Sequence, residues 1–394
     1  MNVVVTLEHR FATTPDGKVW TQTAFPYTFW KRYLAVFDSV RIVARSRKVK
    51  SVPSDWKRVD GTMVSFVSIP YYIGPWEYLK KSQQVKQTVR NAVGKKDAVI
   101  LRVDSQIACC LEPILIKNSH PYAVEVVADP YDVFAPGSVE HPLRPFFRWW
   151  CTKQLKRQCA NASAASYVTK EALQQRYPCS NYATGISDVD LPSGTIVNTP
   201  RPPIEEKRTI KLIFVGTLAQ LYKAPNVLID SIAICCQSGL NISLTIVGDG
   251  QYRSNLQAQV KNLGLKDRIN FQGQLASGDA VRSQLDIADL FILPSYQEGL
   301  PRAMVEAMGR GLPCIGSTVG GIPELLSPFD MVPPGDAIAL AKKIQEVVSD
   351  PDRMVKMSAD NLEKARKYTD EVLSKERIEF FSHIKEITKN YAFS

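Results

Sequence analysis

The chain has 394 residues, of which 45% are apolar and 22% charged, so the sequence predicts a globular protein of two domains rather than a disordered one. No stretch approaches the ~20 apolar residues that span a bilayer, and the opening MNVVVTLEHRF becomes charged too early for a secretory signal, so we expect a cytoplasmic protein. The first 200 residues hold 26 Lys and Arg against 16 Asp and Glu, whereas the remainder holds 23 of each, which predicts an anionic partner for the first half.

The first half alternates short apolar runs with helical segments, beginning with MNVVVTL and a turn in TTPDGK. A helix is predicted over 76–93, and such alternation is typical of a parallel α/β sheet. The further predicted strands are VRIVAR (40–45), MVSFVSI (63–69), AVILRV (98–103), YAVEVVAD (122–129) and AASYVT (164–169).

A stretch rich in Pro, Ser and Gly over 188–208 predicts a linker. We therefore place one domain over 1–195, a second over 205–370 and a terminal helix over 371–394. The second domain again alternates strands and helices, and its strands end in Gly or Pro at the sheet edge where ligands dock. Its predicted strands are IKLIFVG, ISLTIVGDG, RINFQG and LFILPS, and its predicted helices are 225–238, 251–263 and 278–288.

The segment LFILPSYQEGLPRAMVEAMGRGLPCIGSTVGGIPEL (290–325) carries the most specific pattern in the chain. A buried strand ends at Pro294, and Glu298 follows in a loop. Pro301 then opens a helix that carries Glu306. The free N–H groups and positive dipole end of that helix favour an anion. In a continuous helix the two carboxylates would lie about 12 Å apart, which suits a diphosphate between two sets of vicinal hydroxyls.

Two glutamates separated by seven residues within EGLPRAMVEAMGRGLPCIGSTVGGIPE resemble the donor site of family 4 glycosyltransferases, which are retaining enzymes of the GT-B fold. The resemblance extends over about 205–370, whereas the first 200 residues share only the alternating pattern. It implies an α/β protein of two Rossmann-like domains facing a cleft, with the C-terminal helix crossing back to the N-terminal domain. The N-terminal domain would bind the acceptor and the C-terminal domain the nucleotide-sugar donor.

The resemblance assigns Glu298 to the donor sugar hydroxyls near the reacting face, which makes it a candidate catalytic residue. It assigns Glu306 to the ribose hydroxyls, and Gly299 and Leu300 to backbone donors near the sugar and phosphates. The alternative is a pair of solvated glutamates beside a surface helix.

The segment IFVGTLAQLYKAPNVLIDS (213–231) resembles the family's phosphate-binding loop. Gly216 would allow close backbone approach to a ligand, and Lys223 matches the lysine that neutralises the diphosphate. Thr217 stands where the family usually has an arginine, so the second cation is missing or supplied elsewhere. A plain surface lysine at position 223 is the alternative.

Two further stretches, IVGDGQYR and INFQGQL, match the donor site. Gly248 and Gly250 would let the backbone pass near the nucleotide, and the backbone around Gly273 and Gln274 would read the base. Both stretches also suit ordinary turns, and for Gly250 we favour the turn alone.

In the N-terminal domain, TTPDGKVW takes the place of the family's glycine loop, so Gly17 is a candidate for close approach to phosphate; D-G is first of all a turn dipeptide. Many relatives carry a histidine where this chain has Ala128-Asp129. Asp129 and Asp132 are therefore candidates for an acceptor-facing carboxylate that orients or deprotonates a hydroxyl. A cap or turn role is the alternative.

The segment RPFFRWWCTKQLKRQ (144–158) mixes aromatic and basic side chains, and such a helix can lie on an anionic membrane surface. Relatives commonly use lipid-linked acceptors, so contact with the inner face of the plasma membrane is a hypothesis; a buried aromatic helix is the alternative. The segment RIVARSRKVK (41–50) adds to this basic face or is solvated. No RNA-binding motif is present, so nucleic acid is not an expected partner.

The resemblance implies transfer of a sugar from a nucleotide sugar to a hydroxyl of a glycan or lipid-linked acceptor, with retention of configuration. No cofactor or metal is expected, because the D-x-D spacings at 188–190 and 350–352 lie in the linker and at a helix start. Lys223 and a helix N-terminus would supply the positive charge instead. The alternatives are a nucleotide-sugar epimerase of the same fold and a non-catalytic protein that binds sugar or nucleic acid.

Overall fold

The chain divides into two α/β units in the computed structural model. The N-terminal unit comprises Met1–Pro130, Trp149–Ile186 and the chain from Ser374 onward, and the C-terminal unit comprises Tyr131–Arg148 and Ser187–Leu373. The structure describes residues 1–135, 141–189, 191–204, 208–276 and 278–393. Positions 190 and 205–207 of the predicted linker lie outside the described residues, and the domain boundaries placed from the sequence stay predictions.

The sheet of the N-terminal unit is mainly parallel. Its strands are β1 (Asn2–Thr13), β2 (Val19–Thr21), β3 (Ser39–Lys48), β4 (Lys57–Arg58), β5 (Val64–Ile69), β6 (Ala98–Val103), β7 (Ala123–Val126), β8 (Ala164–Tyr167) and β9 (Tyr182–Gly185). Parallel pairing gives the order β5-β3-β1-β6-β7-β8-β9, and β2 and β4 extend the far end of β1 in antiparallel pairs. β1 therefore runs well beyond the predicted MNVVVTL.

Three helices of the N-terminal unit cover one face of this sheet. The first helices of the chain are α1 (Tyr27–Leu34), α2 (Gly74–Asn91), α3 (Gln106–Lys117), α4 (Pro130–Val133), α5 (Arg144–Asn161) and α6 (Ala172–Arg176). α2, α3 and α5 follow β5, β6 and β7 along the chain, and their apolar faces share one buried core with those strands. Val85 of α2, Leu111 of α3 and Leu155 of α5 belong to that core.

The C-terminal unit is built on a parallel sheet whose strands are short and apolar. They are β10 (Ile210–Val215), β11 (Ile242–Val247), β12 (Ile269–Gly273), β13 (Leu290–Leu293), β14 (Cys314–Ser317) and β15 (Met331–Val332). The order β12-β11-β10-β13-β14-β15 places β10 between β11 and β13. Because all pairs are parallel, the loops that follow β10, β11 and β13 emerge at one edge.

The remaining helices flank this sheet or end the chain. They are α7 (Pro225–Gln237), α8 (Arg253–Asn262), α9 (Asp279–Asp286), α10 (Arg302–Gly309), α11 (Ile322–Leu325), α12 (Ala337–Val348), α13 (Pro351–Arg366) and α14 (Asp370–Phe393). In the N-terminal unit, Phe381 of α14 stacks on Tyr33 with ring centroids 4.7 Å apart. Among the described residues, every helix is too short or too polar to cross a bilayer. The predicted α/β class with two parallel sheets is confirmed.

Candidate functional site

The loops that follow β10 and β13 meet at the carboxyl edge of the C-terminal sheet. The backbone N–H of Tyr296 donates to the carbonyl of Tyr222 over 2.7 Å, which ties the two loops together. Residues Leu221–Lys223 form a single 3-10 turn, and Ala224, in the left-handed region at φ 52°, directs the chain into α7. This local geometry places Lys223 beside the loop that carries Glu298.

Lys223 and Glu298, which are 75 residues apart in sequence, form an ion pair at this edge. Nζ of Lys223 lies 2.7 Å from Oε1 of Glu298, and their side chains are 14% and 8% exposed. The hydroxyl of Ser295 donates to the same oxygen over 2.7 Å. Ser295 is fully buried, and its carbonyl accepts from the hydroxyl of Ser317 over 2.5 Å. The structure thus joins two predicted donor residues and adds Ser295, which the sequence analysis missed.

The backbone after Glu298 is packed against a second glycine-rich turn. A Cβ on Gly320, which has φ 52°, would lie 1.8 Å from the carbonyl oxygen of Glu298, so only glycine fits there. The N–H of Gly321 donates to the carbonyl of Gly299 over 2.7 Å, and Leu300 is buried. This packing holds the predicted donor segment against the end of β14.

α10 begins one residue later than the sequence predicts. Pro301 is its N-cap with φ −73°, and the helix runs over Arg302–Gly309 with Glu306 half-buried in its second turn. Glu298 lies in the loop before the helix, where the sequence analysis also places it. The separation of about 12 Å between the two carboxylates holds only for a continuous helix, so it does not apply here.

The predicted glycines of the donor site lie side by side at the ends of β10, β11 and β12. The N–H of Gly248 donates to the carbonyl of Gly273 over 2.8 Å, and a Cβ on Gly248 would lie 1.8 Å from the oxygen of Gly216. A Cβ on Gly250 would likewise lie 2.0 Å from the backbone nitrogen of Ala219. The backbones approach closely enough here that side chains are excluded.

Thr217 and Gln274 use their side chains for local hydrogen bonds. Oγ1 of Thr217 accepts from the N–H of Ala219 over 3.1 Å, and Nε2 of the exposed Gln274 donates to the carbonyl of Leu275 over 3.2 Å. Neither contact assigns a ligand.

A further cation stands at the β11–β12 end of this edge. Arg253 pairs with Asp249 over 2.7 Å, and a Cβ on Gly273 would lie 3.2 Å from Nη1 of Arg253. The N–H of Gly250 and the Arg253 guanidinium lower the pKa of the Asp249 carboxyl. Arg253 was visible in the IVGDGQYR stretch as a basic residue after the glycine turn, but the sequence analysis gave it no role.

The N-terminal candidates occupy a different unit. Gly17, with φ 78°, lies at the tip of the β1–β2 hairpin, where its N–H donates to the carbonyl of Thr14 over 2.9 Å. Asp129 is 6% exposed; it forms an ion pair with Arg176 and accepts from the hydroxyl of Tyr177 over 2.5 Å. Both assignments stay predictions, although the Asp129 carboxylate is already engaged.

A polar cluster that the sequence analysis missed surrounds the carboxyl end of β6. Burial raises the pKa of Asp104 to about 6, and the side chain of Asp104 is hydrogen bonded to Cys151. Nearby, Glu8 pairs with Arg45 over 2.6 Å and accepts from the N–H of Ile107 over 3.0 Å. A carboxylate directly after the buried run AVILRV was the available sequence signal.

Among the described residues, neither the aspartates of the D-x-D spacings nor the cysteines belong to a metal-ligand cluster. The side chain of Asp350 caps α13 by accepting from the N–H of Arg353 over 2.9 Å, and Asp190 lies outside the described residues. Within the described part of the chain, no group of three or more His, Cys, Asp or Glu is placed to hold a metal ion. All eight cysteines are free thiols.

Comparison with known proteins relates the C-terminal unit to a family of glycosyltransferases. The model of the family described as "Glycosyl transferases group 1" matches residues 198–368, the region that contains the Lys223–Glu298 pair. Residues 198–368 of the chain are therefore similar to this family of glycosyltransferases. The resemblance inferred from the two glutamates is confirmed, and the protein is a transferase of glycosyl groups.

The transferase resembles known proteins over both of its units. It is 28% identical to Protein CapJ of Staphylococcus aureus over 97% of this chain and 96% of the relative. A match to the amylovoran biosynthesis glycosyltransferase AmsK of Erwinia amylovora is 33% identical and covers 34% of each protein. The structure of Anabaena Alr3699/HepE in complex with UDP-glucose aligns with a TM-score of 0.64 at 14% identity, over 96% of this chain and 98% of that one. This likeness confirms the GT-B fold of the transferase.

Proposed function

We propose that the chain transfers a sugar from a nucleotide-sugar donor to a hydroxyl of a glycan or lipid-linked saccharide acceptor. The observation that carries this proposal is the Lys223–Glu298 pair beside the start of α10, at the carboxyl edge of the C-terminal sheet. A lysine and a helix N-terminus suit a diphosphate, and a carboxylate suits sugar hydroxyls. HepE, whose structure contains UDP-glucose, supports a nucleotide sugar as the donor.

Donor binding requires the ion pair to exchange partners. Lys223 is held by Glu298 in the structure, so an arriving diphosphate competes for the ammonium group. Once Lys223 turns to the phosphates, the Glu298 carboxylate accepts hydrogen bonds from the sugar, and Ser295 keeps that carboxylate in place. Glu306 binds the ribose from the second turn of α10. The positive charge of Lys223 and of the helix N-terminus stabilises the negative charge that builds up on the leaving diphosphate.

The reaction retains the anomeric configuration and needs no metal ion or cofactor. In this proposal the leaving phosphate takes the proton of the acceptor hydroxyl, and Asp129 orients that hydroxyl. An orienting role suits Asp129 better than proton transfer, because Arg176 and Tyr177 already occupy its carboxylate.

Three measurements test the proposal. The purified protein is incubated with UDP-, GDP- and dTDP-sugars and a saccharide acceptor, and release of free nucleoside diphosphate is followed with and without EDTA. Proton NMR of the product reports the anomeric configuration. We expect acceptor-dependent release that EDTA leaves unchanged and a product with the donor's configuration. An inverted product or a chelator-sensitive rate would contradict those parts of the mechanism.

The alternatives give different results in the same assay. A nucleotide-sugar epimerase would convert the donor sugar to its epimer whether or not an acceptor is present. A non-catalytic binding protein would bind a nucleotide sugar without turnover.

The cellular role proposed is synthesis of a surface polysaccharide or glycoconjugate at the cytoplasmic face of the plasma membrane. AmsK, which is named for amylovoran biosynthesis, supports a biosynthetic role, and eight free thiols suit a reducing compartment. The excess of Lys and Arg in the first 200 residues supports peripheral contact with anionic lipid rather than with nucleic acid.

A further inference from the structure

The N-terminal unit exposes large apolar side chains at one end of its helix layer. Trp76 is 78% exposed and Trp149 is 55% exposed, although tryptophan is usually well buried in globular proteins. We call the following set the aromatic patch: Ile73, Trp76, Leu79, Trp149 and Trp150, which are between 43% and 78% exposed. Exposed apolar clusters of this kind mark interaction surfaces.

The two helices that carry the aromatic patch lie on either side of α3. The hydroxyl of Tyr78 in α2 lies 3.2 Å from Sγ of Cys110 in α3. On the other side, Nε2 of Gln158 in α5 lies 3.5 Å from Sγ of Cys109 in α3. The helices α2, α3 and α5 therefore form one layer with α3 in the middle.

Both halves of the aromatic patch lie at the same end of this layer. α2 follows the carboxyl end of β5, so Trp76 in its first turn lies near that edge of the sheet. On α5, Cys151 is hydrogen bonded to Asp104, which directly follows the carboxyl end of β6. Trp149 and Trp150 immediately precede Cys151, so they lie near the same edge.

The patch points away from the core of the unit. Trp76 and the fully buried Val85 are nine residues apart, or about two and a half helical turns, so their side chains leave α2 in opposite directions. On α5, the buried Leu155 faces the shared core, whereas Trp149 and Trp150 are exposed. The aromatic patch is thus a solvent-facing surface beside the carboxyl edge of the sheet.

Lysines are interspersed with the exposed rings. Lys80 on α2 and Lys153 and Lys156 on α5 are all exposed, and Nζ of Lys153 lies 5.2 Å from the ring centroid of Trp149. Tryptophan rings favour the boundary between lipid headgroups and acyl chains, and neighbouring lysines favour anionic headgroups. This combination of groups fits a membrane surface better than a purely apolar protein groove.

We propose that the aromatic patch seats the N-terminal unit on a bilayer that contains anionic phospholipid. The inference rests on the proposed function and deepens it. It assigns membrane contact to α2 and α5 together rather than to the basic segment 144–158 alone. Seated in this way, the carboxyl edge of the N-terminal sheet lies close to the headgroups, where the saccharide of a lipid-linked acceptor is found.

Co-sedimentation with vesicles tests the surface. The full chain is mixed with phosphatidylcholine vesicles that contain or lack phosphatidylglycerol. We expect binding to the anionic vesicles only. The double substitution Trp76→Ala and Trp149→Ala is expected to raise the lipid concentration for half-binding by about tenfold or more, because affinity scales with the apolar area inserted. Phe329→Ala is the matched control, since Phe329 is 79% exposed in the C-terminal unit.

A charge-reversal pair separates the electrostatic contribution. Lys153→Glu with Lys156→Glu is expected to weaken binding by about fivefold or more per residue and to remove much of its salt dependence. Lys261→Glu with Lys266→Glu makes the same charge change on exposed lysines of the C-terminal unit and should have little effect.

Several outcomes would overturn the proposal. One is a wild-type chain that fails to sediment with anionic vesicles, and another is a tryptophan variant that binds them as the wild type does. An equal loss of binding in Phe329→Ala would also refute the proposal. So would a wild-type chain that forms a dimer through Trp76 and does not bind vesicles. Circular dichroism confirms that each variant folds. Release of nucleoside diphosphate with a soluble acceptor is measured without vesicles, so failure of the proposed function is read separately.

Discussion

The Lys223–Glu298 contact is a pair of charges held at short distance in a mostly buried place. Removing one partner of such a pair leaves the other charge without compensation, which costs more than the pair itself contributes. Here Ser295 supplies a second donor to the same Glu298 oxygen, so the carboxylate keeps a hydrogen bond when Lys223 leaves. This arrangement allows the lysine to change partners while the glutamate stays in position.

The two glutamates are expected to differ in which kinetic constant they control. Glu298→Gln removes the charge but keeps the shape, and we expect kcat to fall by about tenfold to a hundredfold with KM for the donor changed little. Glu306→Ala removes ribose contacts made in ground and transition states alike, so KM should rise by about tenfold with kcat retained. Steady-state kinetics over donor concentration separate the two effects.

Glu363→Ala is the matched control for both substitutions, because Glu363 is an exposed helical glutamate of the same unit. Wild-type constants in both site variants would overturn the site assignment. A loss of kcat from Glu306→Ala and of affinity from Glu298→Gln would reverse the two roles.

At the level of elements, the loop between β13 and α10 is fixed by packing of backbone on backbone. The turn before α11 presses against the loop between β13 and α10, with Gly320 facing the carbonyl of Glu298. Gly320→Ala should therefore displace this loop and lower kcat/KM by at least about tenfold. The added methyl group meets a backbone carbonyl rather than the end of a flexible side chain, so the clash cannot be relieved by a rotamer change. Thermal stability should therefore fall as well.

Gly264→Ala isolates the backbone strain from the steric clash. Gly264 also has a positive φ, of 70°, but has open space around its Cβ position. We expect a stability loss of about 1–2 kcal/mol from strain alone, with kcat/KM unchanged. Thermal unfolding and kcat/KM are measured for both variants. If Gly320→Ala and Gly264→Ala have the same kcat/KM, the packing of Gly320 against Glu298 has no effect on activity.

The elements differ in how far the sequence predicts them. β10–β13 are short apolar runs bounded by glycine or proline, and the sequence places all four. The strands β2 and β4 were missed because they have three and two residues, too few to show an alternating pattern. The contact between Lys223 and Glu298 depends on β10 lying next to β13, and strand order cannot be read from local sequence. The family resemblance located both residues without locating their contact.

At the scale of the whole molecule, two half-buried groups of the N-terminal unit make its stability depend on pH in opposite directions. Burial raises the pKa of Asp104 to about 6, so between about pH 4 and 6 the folded state holds a proton that the unfolded chain releases. Burial, with Arg10 and Arg45, lowers the pKa of His9 to about 4, so from about pH 4 to 6.5 the unfolded chain holds the extra proton. Rising pH therefore destabilises the unit through Asp104 and stabilises it through His9.

Single substitutions should expose these opposing contributions. Relative to wild type, Asp104→Asn should make the free energy of unfolding increase more steeply with pH, by at most about 1.4 kcal/mol per pH unit between pH 4 and 6. His9→Gln should change the slope with the opposite sign between pH 4 and 6.5. Urea denaturation at several pH values measures both, and Asp360→Asn, at an exposed aspartate of the other unit, is the control. Parallel stability curves for wild type and both variants would contradict the two pKa shifts.

The last prediction concerns how a ligand redistributes stability over the two units. Because the candidate groups Lys223, Glu298 and Glu306 all belong to the C-terminal unit, a nucleoside diphosphate should protect that unit first. At a hundred times its dissociation constant, a ligand stabilises the native state by about 2.7 kcal/mol, and amide exchange in the loops that contact it should slow accordingly. We expect protection at 216–224 and 294–301, which lie at the carboxyl edge of the sheet, and little at the opposite edge around 264–268. Lys223→Ala should abolish this protection at nucleoside diphosphate concentrations that saturate the wild-type protein. Protection that survives this substitution, or that is confined to the N-terminal unit, would place the nucleotide elsewhere.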